Sequence, residues 1–408
     1  MYKKCRVIVI GAGASGVVAA IAAAKKGADV IILERNSCFG KKINATGNGR
    51  CNFTNVDALN STHYIGGNDY FIKNVLSVTK LDNIIDFFDS IGVTPILEEN
   101  GKYFPLSGQA SSVSELLERE ALNAGINIIY NEKVNKIKSS ECGIDVATDN
   151  KTFYADKIII ATGGMAAPDT GSDGIGYELA KSQGHTIKRL MPAIVQIKTK
   201  DGFYKRMSGL RINAMASLFI EGQLFRTESG DVMFFDYGLS GPPIFQLSTF
   251  VSYAISEGKS VYVELDVVPS YSDEELKDYL IKRCKNCNYS IELMLVGFIN
   301  KKLIQWVLDY AKLDMKVTAS HFNNDDIVSL VNSLKHHKIE VSGTKGWENA
   351  QATAGGINLY EVDNATLKSK INPKISFCGE ILDVVGECGG YNLTWAWISG
   401  FVAGSNCL

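Results

Sequence analysis

Little in this chain suggests a metal centre. Histidine is scarce at five residues, and two of the five, His336 and His337, are adjacent rather than spaced as ligands. The single CxxC, Cys284 and Cys287, lies in a Lys/Asn-rich stretch with no second pair, so it reads as two ordinary thiols on a helix and no metal is expected. Nine cysteines, odd in number and scattered, exclude a disulfide framework and fit a reducing compartment. Charge of one sign is also missing: 42 Lys and Arg against 44 Asp and Glu give a net charge of −2 with no dominant basic stripe, so no nucleic-acid partner is expected. No Ser-His-Asp arrangement, carboxylate pair, internal repeat or low-complexity tract is legible. Residues 7–24 are the one long apolar stretch. Their glycines and the Glu34 and Arg35 that follow read as a buried strand and helix, with neither a basic leader nor a small-residue cleavage pattern. A cytoplasmic protein without membrane attachment is the expectation. At 408 residues the chain suits two or three domains.

What is present begins at residue 7. The β-branched run Val7–Ile10 ends in Gly11-x-Gly13-x-x-Gly16, through Ala14 and Ser15. An Ala-rich helical stretch follows, then a second apolar run, residues 29–33, ending at Glu34. Strand, glycine turn, helix, strand and acid are the context that a dinucleotide fingerprint requires. Gly11 allows the tight turn, Gly13 lets backbone approach a pyrophosphate, and Gly16 lets the helix pack on the strand. The helix N-terminus offers unpaired N–H groups to phosphate. Glu34 is placed to accept hydrogen bonds from a ribose hydroxyl.

Farther along, a helical pattern covers residues 68–91, and another runs over 111–124 from a Ser111-Ser112 cap to Gly125. Short strands follow at 126–130, 133–138, 143–148 and 152–154, then a buried strand at 157–160 ending in a glycine-rich turn. Residues 190–270 alternate apolar and polar over 193–199, 214–220 and 261–267, with turns at Glu221-Gly222 and Ser229-Gly230, as in a small barrel-like unit. Residues 271–336 become helical from a cap at Ser272 with an acidic first turn, and 338–342 return as a strand. Glycine-rich character resumes at 353–408. The expected organisation is 1–189 and 346–408 as one cofactor domain, interrupted by a barrel-like subdomain at 190–270 (joined by 337–345) and a helical subdomain at 271–336.

Four further segments carry a resemblance: Gly40–Asn55 (GKKINATGNGRCNFTN), Ala161–Gly164 (ATGG), Gly238–Pro242 (GLSGP), and Phe377–Asp383 (FCGEILD) with Gly389–Asn392 (GGYN). With the fingerprint, they closely resemble the family of NAD(P)/FAD-dependent oxidoreductases that includes a bile-acid Δ4/Δ6 reductase and aminoacetone-oxidase-like flavoproteins. The resemblance spans nearly the whole chain. It implies an α/β fold: a two-dinucleotide-binding, Rossmann-like FAD domain carrying the inserted barrel-like and helical subdomains. It also implies non-covalent FAD. Glu34 and Arg35 would face the adenosine ribose, Lys41 and Lys42 the phosphates or the flavin, and Val134 the adenine through its backbone. Thr46, Gly47, Asn48, Arg50 and Asn52 would lie along the flavin with the turn at Thr162, Gly163 and Gly164. Gly379, Glu380 and Asp383 would face the ribityl chain. Gly390, Tyr391, Asn392 and Leu393 would open a helix towards the flavin N1–C2=O edge, where its dipole stabilises negative charge.

Only one complete fingerprint is legible, since Thr353–Ile357 (TAGGI) lacks the strand-turn-helix context. NAD(P)H, the expected electron donor, would therefore visit the flavin face transiently. The implied reaction is hydride transfer from the flavin to the C=C of an enone such as a 3-oxo-Δ4 or Δ4,6 bile-acid intermediate, with a donor holding the carbonyl oxygen. Candidate catalytic residues are Tyr103, Arg206, Tyr237 and Tyr391; each tyrosine reads equally as a packed ring with a satisfied hydroxyl. An amine or aminoketone oxidase using O2 and a flavin-binding redox sensor are the alternatives. One departure stands out. Many relatives carry histidine where this chain has Asp236, so that proton-handling position is not inherited. Cys51 reads as a redox thiol or, with no partner nearby, a buried structural one. Phe203, Tyr204, Met207, Leu210, Met215, Phe219, Phe225, Phe234, Phe235 and Phe245 are barrel core or the wall of an apolar substrate pocket.

Overall fold

The computed structural model describes residues 5–200 and 206–408; Phe203 and Tyr204 lie outside the described residues. The chain divides into two compact units, Met1–Ala193 with Trp347–Leu408, and Ile194–Gly346.

The first unit is built on a five-stranded parallel sheet. Strand β1 (Arg6–Ile10) leads through the glycine turn into helix α1 (Ala14–Lys25) and back into β2 (Asp29–Leu33). Strands β3 (Asn127–Ile129), β4 (Lys157–Ile160) and β5 (Ile375–Phe377) complete the order β5-β4-β1-β2-β3. Val7, Ile8 and Val9 have no exposed surface, as continuous apolar strands of a parallel sheet covered on both faces should. The last helix, α2 (Tyr391–Ser405), lies against α1 so closely that a Cβ on Gly400 would stand 2.4 Å from the Ser15 carbonyl oxygen and one on Gly404 2.1 Å from that of Ala19. The meander read at 133–154 forms an antiparallel sheet of Val134–Ser139, Ile144–Thr148 and Thr152–Ala155.

Two helical expectations need correction. The pattern over 68–91 is two helices, Asp69–Leu76 and Leu81–Ser90. Ser77, Val78 and Thr79 interrupt it: residues of this kind favour helix poorly, and the Ser77 hydroxyl bonds back to the Asn74 carbonyl (2.8 Å). The next helix starts at Ala110 without a side-chain cap, because the Ser112 hydroxyl donates to the Gln109 carbonyl (2.7 Å) instead of accepting from the backbone.

In the second unit six antiparallel strands close a barrel: Ile197–Thr199, Gly238–Ser240, Gln223–Phe235, Arg211–Ile220, Val261–Asp266 and His337–Thr344, in that order around it. Glu221 and Gly222 form the expected hairpin turn, both at positive φ (52° and 78°). Ser229-Gly230 is no turn. The 13-residue strand Gln223–Phe235 runs straight through it, with Gly230 paired to Ala214 at a φ of +139° that favours glycine. The stretch 190–270, expected to be barrel strands, also holds a 15-residue helix, Pro242–Ser256, started by Pro242 and Pro243 in its first turn, and four more helices lie between Asp273 and Lys335. The first of these four is closed by the capping box of Ser272 and Glu275.

Adjacent histidines at the end of the last of these helices face opposite fates. His336 bridges Glu264 (3.0 Å) and Asp273 (2.8 Å); burial works against its charge, but the two carboxylates outweigh it and raise its pKa. His337 is buried with its ring on Trp306 (3.5 Å between centroids), and burial pushes its pKa down to about 3. The fold thus holds His337 neutral, while an unfolded chain protonates it below its ordinary 6.5. Its contribution is complete above that pH and is lost as pH falls towards 3, at about 1.4 kcal/mol per pH unit. Urea unfolding of the full chain, followed by far-UV circular dichroism, is expected to show a shallower acid loss for His337→Phe than for wild type over pH 6.5 to 4.5. Parallel slopes would refute this.

Candidate cofactor and active site

Where β1, β2 and β4 end at their carboxyl edges, the first unit encloses a cavity of about 1230 Å3, open mouth included, the position expected of a dinucleotide in a doubly wound sheet. The fingerprint forms its floor. Gly11, at φ +104°, could not carry a side chain, since a Cβ would meet the Ala161 carbonyl oxygen at 2.7 Å. A Cβ on Gly16 would stand 2.0 Å from the Gly11 carbonyl oxygen, so this glycine serves helix–strand packing and does not line the cavity. Gly13 caps α1 in extended conformation, and a Cβ there would meet nothing within 4 Å. The first intrahelical bond of α1 runs from Val17 N–H to Gly13 O, which leaves the N–H groups of Ala14, Ser15 and Gly16 without helical acceptors. A cradle with open space above a helix N-terminus fits a pyrophosphate.

Glu34 is buried at the end of β2. One of its carboxylate oxygens accepts from Ala12 N–H (2.7 Å), the other from the backbone and side-chain nitrogens of Asn36 (both 2.8 Å). Arg35 pairs with Asp173 (2.5 Å), which Lys133 also approaches (3.5 Å). Burial alone would raise the Asp173 pKa, but Arg35 and its other partners hold it below the usual carboxylate range. Lys41 donates to the Asp169 carbonyl, and Lys42 donates to the Ala166 carbonyl (3.1 Å) and to Glu380 (2.8 Å). These cations therefore pin the segment 166–173 along the cavity, and its members Thr170, Gly171 and Ser172 line the wall. The other Glu380 oxygen accepts from Thr353 N–H (2.9 Å), while the Thr353 hydroxyl accepts from Met165 and Ala166 N–H (2.8 and 3.1 Å). Sequence reasoning missed Asn36, Thr353 and the 166–173 wall. Their partners lie up to 188 residues away, and no local pattern marks them.

Of the residues expected at the cofactor, Gly11, Gly13, Ala14, Ser15, Glu34, Arg35, Lys41, Lys42, Thr46, Val134, Thr162, Gly163, Glu380, Asn392 and Leu393 line the cavity. Gly47, Asn48, Arg50, Asn52, Gly164, Gly379, Asp383, Gly390 and Tyr391 do not. Arg50 turns outward to pair with Glu98 and covers the Phe104 ring (4.3 Å). Gly47 and Asn48 shape the turn with positive φ. Asn52 is buried with its side-chain oxygen unpaired, 3.0 Å from where a Gly390 Cβ would sit. Gly164 and Gly379 are close-packing positions, against the Thr353 and Ser15 hydroxyls respectively. Burial raises the Asp383 carboxyl to about 6. Gly390, at φ +98°, starts α2, whose Asn392, Leu393, Trp395 and Ala396 face the cavity.

The four catalytic candidates divide between the units. Tyr103 lies on the strand Lys102–Pro105 with its ring near Phe53 (6.3 Å). The Tyr391 ring stacks on His63 (4.5 Å), which is itself held by Glu387 (2.8 Å), and burial raises its hydroxyl to about 12. Arg206, in the barrel unit, donates to Gln305 (2.8 Å). Tyr237 stacks on Phe235 (5.3 Å) beneath the Lys345 ammonium (4.1 Å). Met207, Leu210 and Phe234 are barrel core, not pocket wall, and Phe225 is half exposed near the hairpin tip. Cys51 has no exposed surface and burial raises its thiol to about 12, so it is protonated and unreactive at neutral pH. Among the described residues, no helix is long and apolar enough to cross a membrane.

Comparison with known proteins places these features. The family model of the HI0933-like protein Rossmann domain matches residues 5–406. The 3-dehydro-bile acid Δ(4,6)-reductase of Clostridium scindens is 38% identical over 403 residues, covering 98% of each chain. A ribosomal RNA dihydrouridine synthase of Haemophilus influenzae is 29% identical over 402 residues, covering 97% of this chain and 96% of its own. Among solved structures, the 3-ketosteroid-Δ4-(5α)-dehydrogenase of Rhodococcus jostii RHA1 has a TM-score of 0.53 at 14% identity, covering 100% of this chain and 97% of its own, and shares the fold. The chain belongs to the HI0933-like Rossmann family and is an oxidoreductase with the fold of the FAD-dependent enzymes.

Proposed function

We propose that this enzyme reduces a C=C bond conjugated with a carbonyl, with a 3-oxo-Δ4 or Δ4,6 bile-acid intermediate as substrate and NAD(P)H as electron source. The full-length similarity to a 3-dehydro-bile acid Δ(4,6)-reductase carries the reading, and the cavity's donor set fits FAD. Bound FAD would supply the hydride acceptor and donor at its N5. The N-terminus of α1 would hold the pyrophosphate between the Gly13 cradle and Lys42. Glu380, tied to Lys42 and Thr353, would stand towards the ribityl chain. The N-terminus of α2, with Asn392 fixed by its bonds to the Gly386 backbone (2.9 and 2.8 Å), would offer its dipole to negative charge on the flavin.

Saturating an enone requires hydride at the β-carbon, a proton at the α-carbon, and a donor for the carbonyl oxygen as it gains charge. Of the four candidates, Tyr391 Oη is the group we assign to donation. It lies outside the lining of the cofactor cavity but directly before Asn392 and Leu393, which line it, and a hydroxyl raised to about 12 stays protonated at neutral pH, so it would donate and not act as a base. Asp236 takes no part in this assignment.

A second reading rests on the dihydrouridine synthase similarity. The uracil C5=C6 bond is likewise conjugated with a carbonyl, so the same chemistry would serve a base in RNA. Anaerobic flavin absorbance separates the two. Bleaching by NADH or NADPH followed by recolouring with a steroid dienone supports the bile-acid reading. Recolouring by unmodified ribosomal RNA alone moves the substrate to uridine, and no bleaching by either nucleotide overturns the donor.

A further inference from the structure

The cofactor cavity crosses the carboxyl edge of the sheet, and its far end keeps one polar side chain in reserve. Glu34, Lys133 and Val134 line it beyond β2 and β3, whereas Glu380 follows β5 at the opposite edge of the sheet, with the N-terminus of α1 between. A dinucleotide with its adenosine beyond β2 and its pyrophosphate on α1 therefore brings its flavin to the β5 side. Gln351 belongs to that side. It directly precedes the strand Ala352–Ala354, which pairs with Met191–Ala193, and Thr353 N–H donates to Glu380 (2.9 Å). These bonds fix the backbone beside Gln351 on the wall that Glu380 occupies. Its neighbours Ala350 and Ala352 are buried, while Gln351 itself is exposed and lines the cavity.

Other donors at this end are committed to the protein. Lys42 donates to the Ala166 carbonyl (3.1 Å) and Glu380 (2.8 Å), and the Thr46 hydroxyl to the Ile43 carbonyl (2.6 Å). Asn392 Nδ2 donates to the Gly386 carbonyl (2.8 Å), and Trp395 Nε1 to that of Gly379 (3.1 Å). The Thr162 hydroxyl has no partner, but it is buried. Among the described residues that line this end, only Gln351 presents an accessible side-chain donor that no protein group engages. A flavin that takes up two electrons gains negative charge on its pyrimidine edge. A donor there binds the reduced form more tightly than the oxidised one and so raises the reduction potential.

We propose that Gln351 sets the reduction potential of the bound flavin, its Nε2 donating a hydrogen bond to an acceptor on the pyrimidine edge. The inference rests on the FAD reading and deepens it: α2 offers that charge a dipole, and Gln351 adds a directed bond.

The test measures the reduction potential of the FAD-loaded protein anaerobically against indicator dyes, for wild type, Gln351→Leu and Gln351→Glu. Removing the donor in Gln351→Leu is expected to weaken binding of reduced FAD, relative to oxidised FAD, by roughly tenfold or more, which lowers the potential of a two-electron couple by about 30 mV or more. Gln351→Glu accepts but does not donate and adds negative charge, so its potential should fall further. Fluorescence titration of the flavin-free protein with oxidised FAD should show only a modest loss in Gln351→Leu, about two- to tenfold in Kd, as for a neutral hydrogen bond. The melting temperature of the flavin-free variants should match wild type, because the side chain has no protein partner to lose. Equal potentials in wild type and Gln351→Leu overturn the proposal. A wild-type potential in Gln351→Glu also overturns it, since the residue would then accept from flavin N3–H. Loss of oxidised FAD binding in Gln351→Leu overturns it as well, making the residue an anchor for the cofactor. Failure of wild type to bind FAD overturns the cofactor reading and this inference with it, a result distinct from a loaded variant whose potential has not moved.

Discussion

Gly13→Asp is expected to abolish FAD binding while leaving the protein folded and slightly more stable. Gly13 is the N-cap of α1, its backbone is extended at φ −77°, and nothing lies within 4 Å of a Cβ built on it. Aspartate is among the best N-cap residues, and its charge suits the positive end of the helix, so the flavin-free protein should gain about 0.3–1 kcal/mol. The same carboxylate would occupy the cradle and repel a pyrophosphate that needs those N–H groups. Losing two charge-assisted bonds there corresponds to about 3–6 kcal/mol, a rise in Kd of roughly a hundredfold or more. Fluorescence titration with FAD, beside a urea curve of the flavin-free protein, measures both effects. FAD affinity within tenfold of wild type would show that the pyrophosphate does not sit on α1.

Gly404→Ala should do the reverse and fail on stability. A Cβ there would stand 2.1 Å from the Ala19 carbonyl oxygen, and the obstacle is backbone, which cannot swing aside as a side chain can. Helix α2 would have to lift from α1, at roughly 3 kcal/mol or more, the upper range for overpacked cores. Gly400→Ala meets the Ser15 carbonyl one turn away at 2.4 Å and forces the same displacement. The double variant should therefore cost less than the sum of the singles. Urea unfolding of the flavin-free protein, followed by far-UV circular dichroism, measures this loss. A loss below about 0.5 kcal/mol in Gly404→Ala would refute the close approach. Because α2 brings Asn392 and Leu393 to the cavity, weaker FAD binding should accompany the loss.

These predictions draw on different depths of the sequence. The Gly13 cradle was legible because each glycine of the fingerprint answers a local demand: a turn, a close approach, a helix start. The Glu221-Gly222 turn and the capping box at Ser272 were legible for the same reason, as was the buried run Lys157–Ile160. Ser229-Gly230 misled because a glycine held at positive φ inside a long strand looks, in sequence, like one that ends it. The turn from Gly47 to Asn52 differs in another way. Its residues were expected along the flavin, but Arg50 pairs with Glu98 and covers Phe104, partners that nothing in its own segment announces.

By itself, then, the sequence determined what is settled within a few residues of chain: the strand, glycine turn and helix at the start, the Glu221-Gly222 hairpin, the Ser272 cap, and the acid after β2. Only the tertiary structure decided how the charges around the cavity are shared. Lys42 meets Glu380 across 338 residues and Arg35 meets Asp173 across 138, while Glu34 accepts from Ala12 and Asn36 and Glu132 keeps one buried oxygen unpaired. The reason is physical. Periodicity and turn chemistry are properties of neighbouring residues, whereas the partner of a buried charge is whichever group the folded chain brings within about 3 Å, and that distance exists only once the sheet has assembled.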